Sequence, residues 1–418
     1  MKFIHYKKIQ PYLICGLAAL FYLYDYFIQV APSIMTEQLM HDFKIGAGDL
    51  GVLSGCFYYS YTLMQIPAGM MLDQLGARKL LCFSVLISAM GVLIFASAHY
   101  FILLCLSRFF IGLGSSFAFI SALFLVAQWF SHRYFALIAG FIQLGGSLGS
   151  IIGLAPLAFL INKSGWRDAM WSIGIFTCLL AVVFVVVIKD GHVTQKREKI
   201  TYRGLAIKIK TLVNLKQVWW ISICGLISWV PVATIGALWG VPYVMKVYGM
   251  SNVESSYICT AFWFGLGLGS PFMGWLSSHR YGSSKPFVAC FVFSLVGAIL
   301  VLLAPYLPIA ATVIALFIYG LSSSAQSLSF LILKENVPQH LFATASGVNN
   351  MAAILGGAIF QPFVGWVLHV LWLGNEIDNV PIYTVHEYTM AFLALPIMAM
   401  LGIFISYKKI FRVSKVNF

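Results

Sequence analysis

An all-α integral membrane protein, with twelve transmembrane helices in two pseudo-symmetric six-helix bundles, is predicted by three observations. Of 418 residues, 61% are hydrophobic and only 9% are charged, where a soluble domain carries roughly 25% charge. Apolar runs of the length a bilayer demands, roughly 20 residues, recur along the whole chain. A short pattern of glycines and basic residues occurs once in each half, at 69–79 and again at 274–285.

The runs lie near 11–31, 50–71, 80–98, 101–128, 134–160 and 170–188, then near 218–245, 255–276, 286–304, 308–333, 343–371 and 387–407. They are called spans 1 to 12. The joints between them are short, and some carry turn chemistry, as at Gly76-Ala77-Arg78 and Pro305-Tyr306-Leu307-Pro308. One long polar stretch interrupts the series. It divides the chain into a six-helix bundle over 1–188, a basic linker over 189–217 and a second bundle over 218–418. Residues 201–213 of the linker suit a short amphipathic helix lying on the membrane surface. The first run is followed by no small-residue cleavage site, so it is expected to stay as a helix rather than leave as a signal peptide.

Lysine and arginine set the orientation. With both termini placed in the cytoplasm, every basic residue falls on the inner side except Lys44, Lys163, Arg167 and Lys246 on the outer side and Arg108 inside the membrane. The formal charge of +13 therefore belongs to loops between apolar runs, not to one nucleic-acid-binding patch. The expected location is a bacterial inner membrane, and the expected state is a monomer. All eight cysteines fall inside apolar runs without metal-ligand spacing and read as small packing residues.

The two copies of the repeated pattern carry the strongest functional signal. The joint after span 2 holds Gly69, Asp73, Gly76, Arg78 and Lys79; the joint after span 8 holds Gly274, Ser278, Gly282 and Lys285. Two related halves are the sequence mark of a transporter with a site near the bilayer midplane. The chain resembles the major facilitator superfamily over almost its whole length. The resemblance rests on that loop, on Arg108-Phe-Phe-Ile-Gly112-Leu-Gly114 in span 4, and on Gly140-Phe-Ile-Gln-Leu-Gly145-Gly146-Ser-Leu-Gly149 in span 5. The opening Tyr24-Asp25-Tyr26, followed by Ala31-Pro32-Ser33, is similar to the organic-anion symporters and to the phagosomal amino-acid and siderophore transporters of intracellular bacteria. The resemblance implies spans 1 and 4 lining a central cavity. At the loop, a carboxylate such as Asp73 can pair with an Arg or face a helix N-terminus in one conformation only, and so bias a gate. The plain alternative is a turn with ordinary cytoplasmic anchors. Ser278 replaces the acid in the second copy, where a latch would be weaker.

Only Asp25 and Arg108 carry charge well within apolar runs. A charge at the bilayer centre costs about 2.5–3.5 kcal/mol on insertion scales, so each faces a cavity or a partner. By helical rise, Asp25 lies roughly 9 Å and Arg108 roughly 10–11 Å below the outer ends of spans 1 and 4. The depths permit a switchable pair, with Asp25 as the proton-coupling carboxylate and Arg108 its partner. A static pair that fixes helix packing is the alternative. The organic-anion symporters often have an Arg directly after the span-1 Asp, where this chain has Tyr26, and an acid beyond the span-4 Arg, where it has Ser115 and Ser116. The missing cation argues against a dianionic sugar acid, and the missing acid suggests a single titrating carboxylate.

Polar side chains inside apolar runs are the substrate-binding candidates: Tyr22, Tyr26, Gln29, Tyr58 and Gln143 in the first half, and Trp239, Gln326, Asn349 and Asn350 in the second. Many such groups merely join helices. Gln361 precedes Pro362 and is expected to satisfy backbone that the proline frees. One acid, one arginine and several amides suit a small solute with a carboxylate, an amino acid first, taken up with a proton. Siderophore or organic-anion uptake, and siderophore or drug efflux suggested by the glycines of span 5, are alternatives. A non-transporting sensor of the same fold is a rival from another class. No nucleotide loop, metal cluster or hydrolase constellation is present in the sequence, so neither cofactor nor enzymatic activity is expected.

Overall fold

The computed structural model describes residues 2–130, 132–188 and 210–411. Span 1 is Lys2–Val30, ending in a 3₁₀ turn at Ala31–Ile34. Spans 2 and 3 are the two arms of Ala47–Ser97, broken at Gly76. Span 4 is Phe101–Ser115 with Ala118–Trp129, span 5 His132–Ser164 and span 6 Trp166–Val187. Span 7 runs from Lys216–Pro231 through a π-helical stretch, Val232–Trp239, into Gly240–Tyr248. Spans 8 and 9 are Asn252–Leu276 and Ser284–Leu302. Span 10 is Ile309–Ser322 with Ala325–Asn336, span 11 is Gln339–Leu371, and span 12 is Val385–Phe392 with Ala394–Ile405. A two-residue β-hairpin, Glu376–Ile377 against Val380–Pro381, sits between spans 11 and 12. Of the expected surface helix at 201–213, positions 201–209 lie outside the described residues.

Ten of these rods are long and apolar enough to cross a membrane. Among the described residues the two that fall short are spans 2 and 8, which pack across the middle of the molecule on spans 11 and 5. One face of each meets the opposite bundle, where glycines and amides can sit, while the other face exposes large apolar side chains such as Leu63, Phe264 and Leu268.

The internal repeat is built into the backbone. Gly76 and Gly282 share a left-handed φ (77° and 68°) with extended ψ (161° and 174°), which is why both copies need glycine. Helix crossings repeat as well. A Cβ on Gly112 would meet the Phe57 carbonyl at 2.1 Å, and one on Gly320 the Phe262 carbonyl at 1.8 Å. Likewise Gly149 abuts the Leu23 carbonyl and Gly356 the Leu226 carbonyl. These contacts set the register between the halves: Leu23 matches Leu226, and Phe57 matches Phe262. Gly320→Ala is therefore expected to destabilise the fold by the ~1–3 kcal/mol of an overpacked core, and so to lower the melting temperature clearly. Gly16→Ala, with nothing within 4 Å of the added carbon, should leave it unchanged or raise it. Thermal unfolding in detergent distinguishes the two.

The acids cluster at one end for a local reason. Asp49 accepts from the Gly46 amide, Glu254 from the Ser251 amide, and Glu387 from the Thr384 and Leu373 amides. Each caps a span that starts at that end, satisfying N–H groups that no helical carbonyl reaches. This end, marked by Glu37, also joins the bundles. Lys246 Nζ lies 3.5 Å from Glu37, Asn252 donates to the Ile34 carbonyl, and the Ala47 amide donates to the Tyr383 hydroxyl at 2.9 Å. Tyr383→Phe removes that acceptor, a loss of about 1 kcal/mol, and should shift the population roughly fivefold toward opening at the Glu37 end. Oxidative cross-linking of a Glu37→Cys/Lys246→Cys pair, in a cysteine-free background, reads the shift as a lower yield.

Candidate functional site

The site is built around an arginine that a proline holds in place. Pro32 has no N–H, so the carbonyl of Ile28, four residues earlier, has no helical donor. Arg108 Nη1 donates to that carbonyl at 3.1 Å, and the guanidinium carbon lies 4.9 Å from the centre of the Phe57 ring. A neutral carbonyl and a ring face orient the cation without cancelling its charge. Arg108 is 2% exposed and its Nε has no partner. Asp25, 1% exposed, has an Oδ1 that is likewise unpartnered. No ion pair joins the two among the described residues, although both lie in the same bundle at similar depth. Two buried charges without a tight mutual bond are costly unless something else is bound between or beside them during the working cycle.

Two layers of hydrogen bonds lie on either side of Asp25, and Arg108, held at Ile28 and Phe57, is level with the first of them. On the Glu37 side, Gln29 Nε2 donates to the Tyr58 hydroxyl at 2.7 Å, and the Tyr58 ring presses on Gly357 of the other bundle. On the Arg78 side, Tyr22 donates to Gln143 Oε1 at 3.1 Å and its hydroxyl also reaches Tyr26 at 3.2 Å. At that level Asn350 Nδ2 bridges the bundles to Gln65 Oε1 at 2.6 Å. Gln29 to Tyr22 and Tyr58 to Gln65 are both seven residues, so the layers stand about 10 Å apart along the helices. That is the length of a small solute. Tyr26 closes one side, set edge-on to Trp263 of the second bundle with centroids 5.8 Å apart.

The second bundle contributes amides without charge. Ser228 donates to Gln326 Oε1 at 3.3 Å, and Asn349 Nδ2 donates to Ser329 at 2.7 Å. Gln326 Nε2 and Asn349 Oδ1 are buried without partners. Trp239, by contrast, lies at the Glu37-side junction: its Nε1 donates to the Gln361 carbonyl, and its ring backs Gly365. Gln361 serves a different backbone from the one expected. Its Nε2 donates to the Ala233 carbonyl at 2.7 Å, inside the π-helical stretch of span 7, not to a carbonyl freed by Pro362. A π-helix departs from the i+4 ladder, so it offers such acceptors to neighbouring spans.

A sequence model of the Major Facilitator Superfamily matches residues 15–361. The chain belongs to the major facilitator superfamily. An uncharacterized transporter of Bacillus subtilis (strain 168), YybO, is 25% identical, covering 83% of this chain and 85% of its own. The probable galactarate/D-glucarate transporter GudP of Escherichia coli (strain K12) is 21% identical, covering 82% and 84%. Among solved structures, a bacterial homolog to the human lysosomal transporter Spinster, in its inward-facing and occupied conformation, superposes with a TM-score of 0.77. It covers 96% of both chains at 15% identity, a likeness of fold.

Within this superfamily fold, the loop residues occupy the Arg78 end. Arg78 Nη2 donates to the Val185 carbonyl at 3.1 Å, near the C-terminus of span 6, where carbonyls lack helical donors. Lys79 is exposed beside it, and Gly69 is loosely packed, with only Ile120 at 4.0 Å. The side chain of Asp73 lies outside the described residues. Gln65, Ser228, Ser329 and Trp263 join the site without having been singled out from sequence. For Gln65 the signal was available, since an amide inside a membrane span needs a partner. The serines offered none, because serine is common in such helices as packing.

Proposed function

We propose that this protein is a secondary transporter that takes up a small carboxylate-bearing solute together with a proton, by alternating access between its two bundles. The observation that carries the proposal is the pair of buried, mutually unbonded charges, Asp25 between the two hydrogen-bonded layers and Arg108 level with the Gln29–Tyr58 layer. Arg108 receives the solute carboxylate. Asp25 carries the proton, because burial favours the neutral acid and a nearby guanidinium the ionised one. Solute binding at Arg108 thus makes protonation of Asp25 easier, and release reverses it. Tyr22, Tyr26, Gln29, Tyr58 and Gln143 enclose the solute from the first bundle, and Gln326, Asn349 and Asn350 from the second. Gly69, Asp73, Gly76, Arg78 and Lys79 form the gate loop. Residues 1–188 and 218–418 move as two units joined by 189–217, in a bacterial cytoplasmic membrane with the Arg78 end and both termini inside.

Among carboxylates, organic acids now stand ahead of amino acids, since a relative is named for sugar acids while none of those reported is named for amino acids. Drug efflux stays the second reading, because one relative, 25% identical over 62% of this chain, is named as a quinolone resistance transporter of Acinetobacter baumannii. In span 5, Gly149 and Gly153 are filled by the backbone of span 1 at Leu23 and Phe27, and Gly146 by the rings of Tyr22 and Tyr26. Helix packing accounts for these three, while Gly140 and Gly145 have nothing within 4 Å. The test is uptake of labelled pools of hydroxy acids and of amino acids into cells expressing the protein. Saturable, inward accumulation of one pool, abolished by a protonophore, supports the reading. Equal levels with and without the protein, in every pool, would reject import and leave the sensor or exporter.

A further inference from the structure

The repeat register shows what the second bundle has in place of each charge in the first. Matching Leu23 with Leu226 through their contacts to Gly149 and Gly356 places Ser228 opposite Asp25. Matching Gly112 with Gly320 places Leu316 opposite Arg108. Both counterparts are buried. Tyr22 corresponds to Gly225 in the same way, so where the first bundle has a phenol the second has no side chain. Into that space point Asn349 Oδ1 and Gln326 Oε1, at 2.9 and 3.2 Å from the position a Cβ would take. The two amides beside Gly225 therefore carry an unpartnered donor, Gln326 Nε2, and an unpartnered acceptor, Asn349 Oδ1. The second bundle offers no charge at either matched position.

A second solute carboxylate at these amides would face the carbonyl oxygen of Asn349 and no cation, which leaves a buried anion uncompensated. A hydroxyl or primary amide supplies both a donor and an acceptor and completes both groups. We infer that the solute is a monocarboxylate whose far end is neutral and hydrogen-bonding, read by Gln326 and Asn349 over Gly225. This rests on the proposed binding of a carboxylate at Arg108. The charge asymmetry makes the site a discriminator against dicarboxylates, because a site built to hydrogen-bond a neutral group leaves its own buried atoms unpaired when that group is absent or wrong.

The test is binding to purified, monodisperse protein by competition and thermal shift. Two matched pairs serve as probes: D-gluconate against D-glucarate, and asparagine against aspartate. In each pair the chain is kept and only the far end changes from neutral to anionic. The expected result is at least tenfold tighter binding of the neutral-ended member of whichever pair binds. Asn349→Leu and Gln326→Leu should each cut that preference severalfold, with the loss of affinity falling mainly on the neutral-ended member of the pair. Equal or tighter binding of the dianionic members, in protein that requires Arg108, would overturn the inference and leave the carboxylate reading standing. No binding of any of the four, with the fold verified, or binding unaffected by Arg108→Gln, would remove the carboxylate reading and this inference with it.

Discussion

Arg108→Gln is expected to reduce solute affinity by between tenfold and a hundredfold while the protein still folds. The guanidinium is oriented by a carbonyl that Pro32 frees and by the face of Phe57. Its remaining donors are thus held ready for an anion. Hydrogen bonds to charged groups contribute about 1.5–3 kcal/mol, and each 1.4 kcal/mol is tenfold in affinity. Glutamine keeps one donor for the Ile28 carbonyl but loses the charge. Arg108→Lys should restore little. An ammonium cannot hold the carbonyl, lie against the ring and present a second planar pair of donors at once. Equilibrium binding of a labelled carboxylate measures both variants, and near-wild-type affinity in Arg108→Gln would place the solute elsewhere.

Asp25→Asn should separate movement from coupling. Asparagine has nearly the size and shape of the protonated acid, so the variant is expected to bind solute and to exchange it across the membrane at a substantial rate. It should lose gradient-driven accumulation, which requires a group that takes a proton on one side and releases it on the other. The pH dependence follows. Wild-type uptake, driven by a proton gradient, falls as the outer pH rises, because the carboxyl is less often protonated when the site faces out. Exchange by Asp25→Asn should be flat over the same range. A variant that still accumulates solute against its gradient would assign the proton to another group.

Much of this was legible in the sequence because membrane insertion is a severe constraint. The run lengths found the spans, and the loop at 69–79 found its copy, which the structure repeats down to the φ and ψ of Gly76 and Gly282. Less legible were contacts between helices. Arg108 and Asp25 could be placed at one depth by counting residues, but the count could not show that Arg108 turns to the Ile28 carbonyl. That needed the consequence of Pro32 to be followed four residues back. Gln361 was read against its own proline, while its partner is Ala233, on a span more than a hundred residues away whose π-helical turn no local pattern announces. Ser228 gains meaning only through its register with Asp25. That register comes from close approaches of Gly149 and Gly356 to backbone carbonyls, which sequence alone does not pair.

The most direct test of proton-coupled carriage is a reconstituted one. Purified protein in liposomes, with a pH-sensitive dye inside and no imposed gradient, is given the labelled carboxylate that it binds. Solute entry should alkalinise the outside and acidify the lumen in step with uptake, and Asp25→Asn should admit solute with no proton signal. Uptake by the wild type with an unchanged internal pH, under conditions that collapse any membrane potential, would contradict the account.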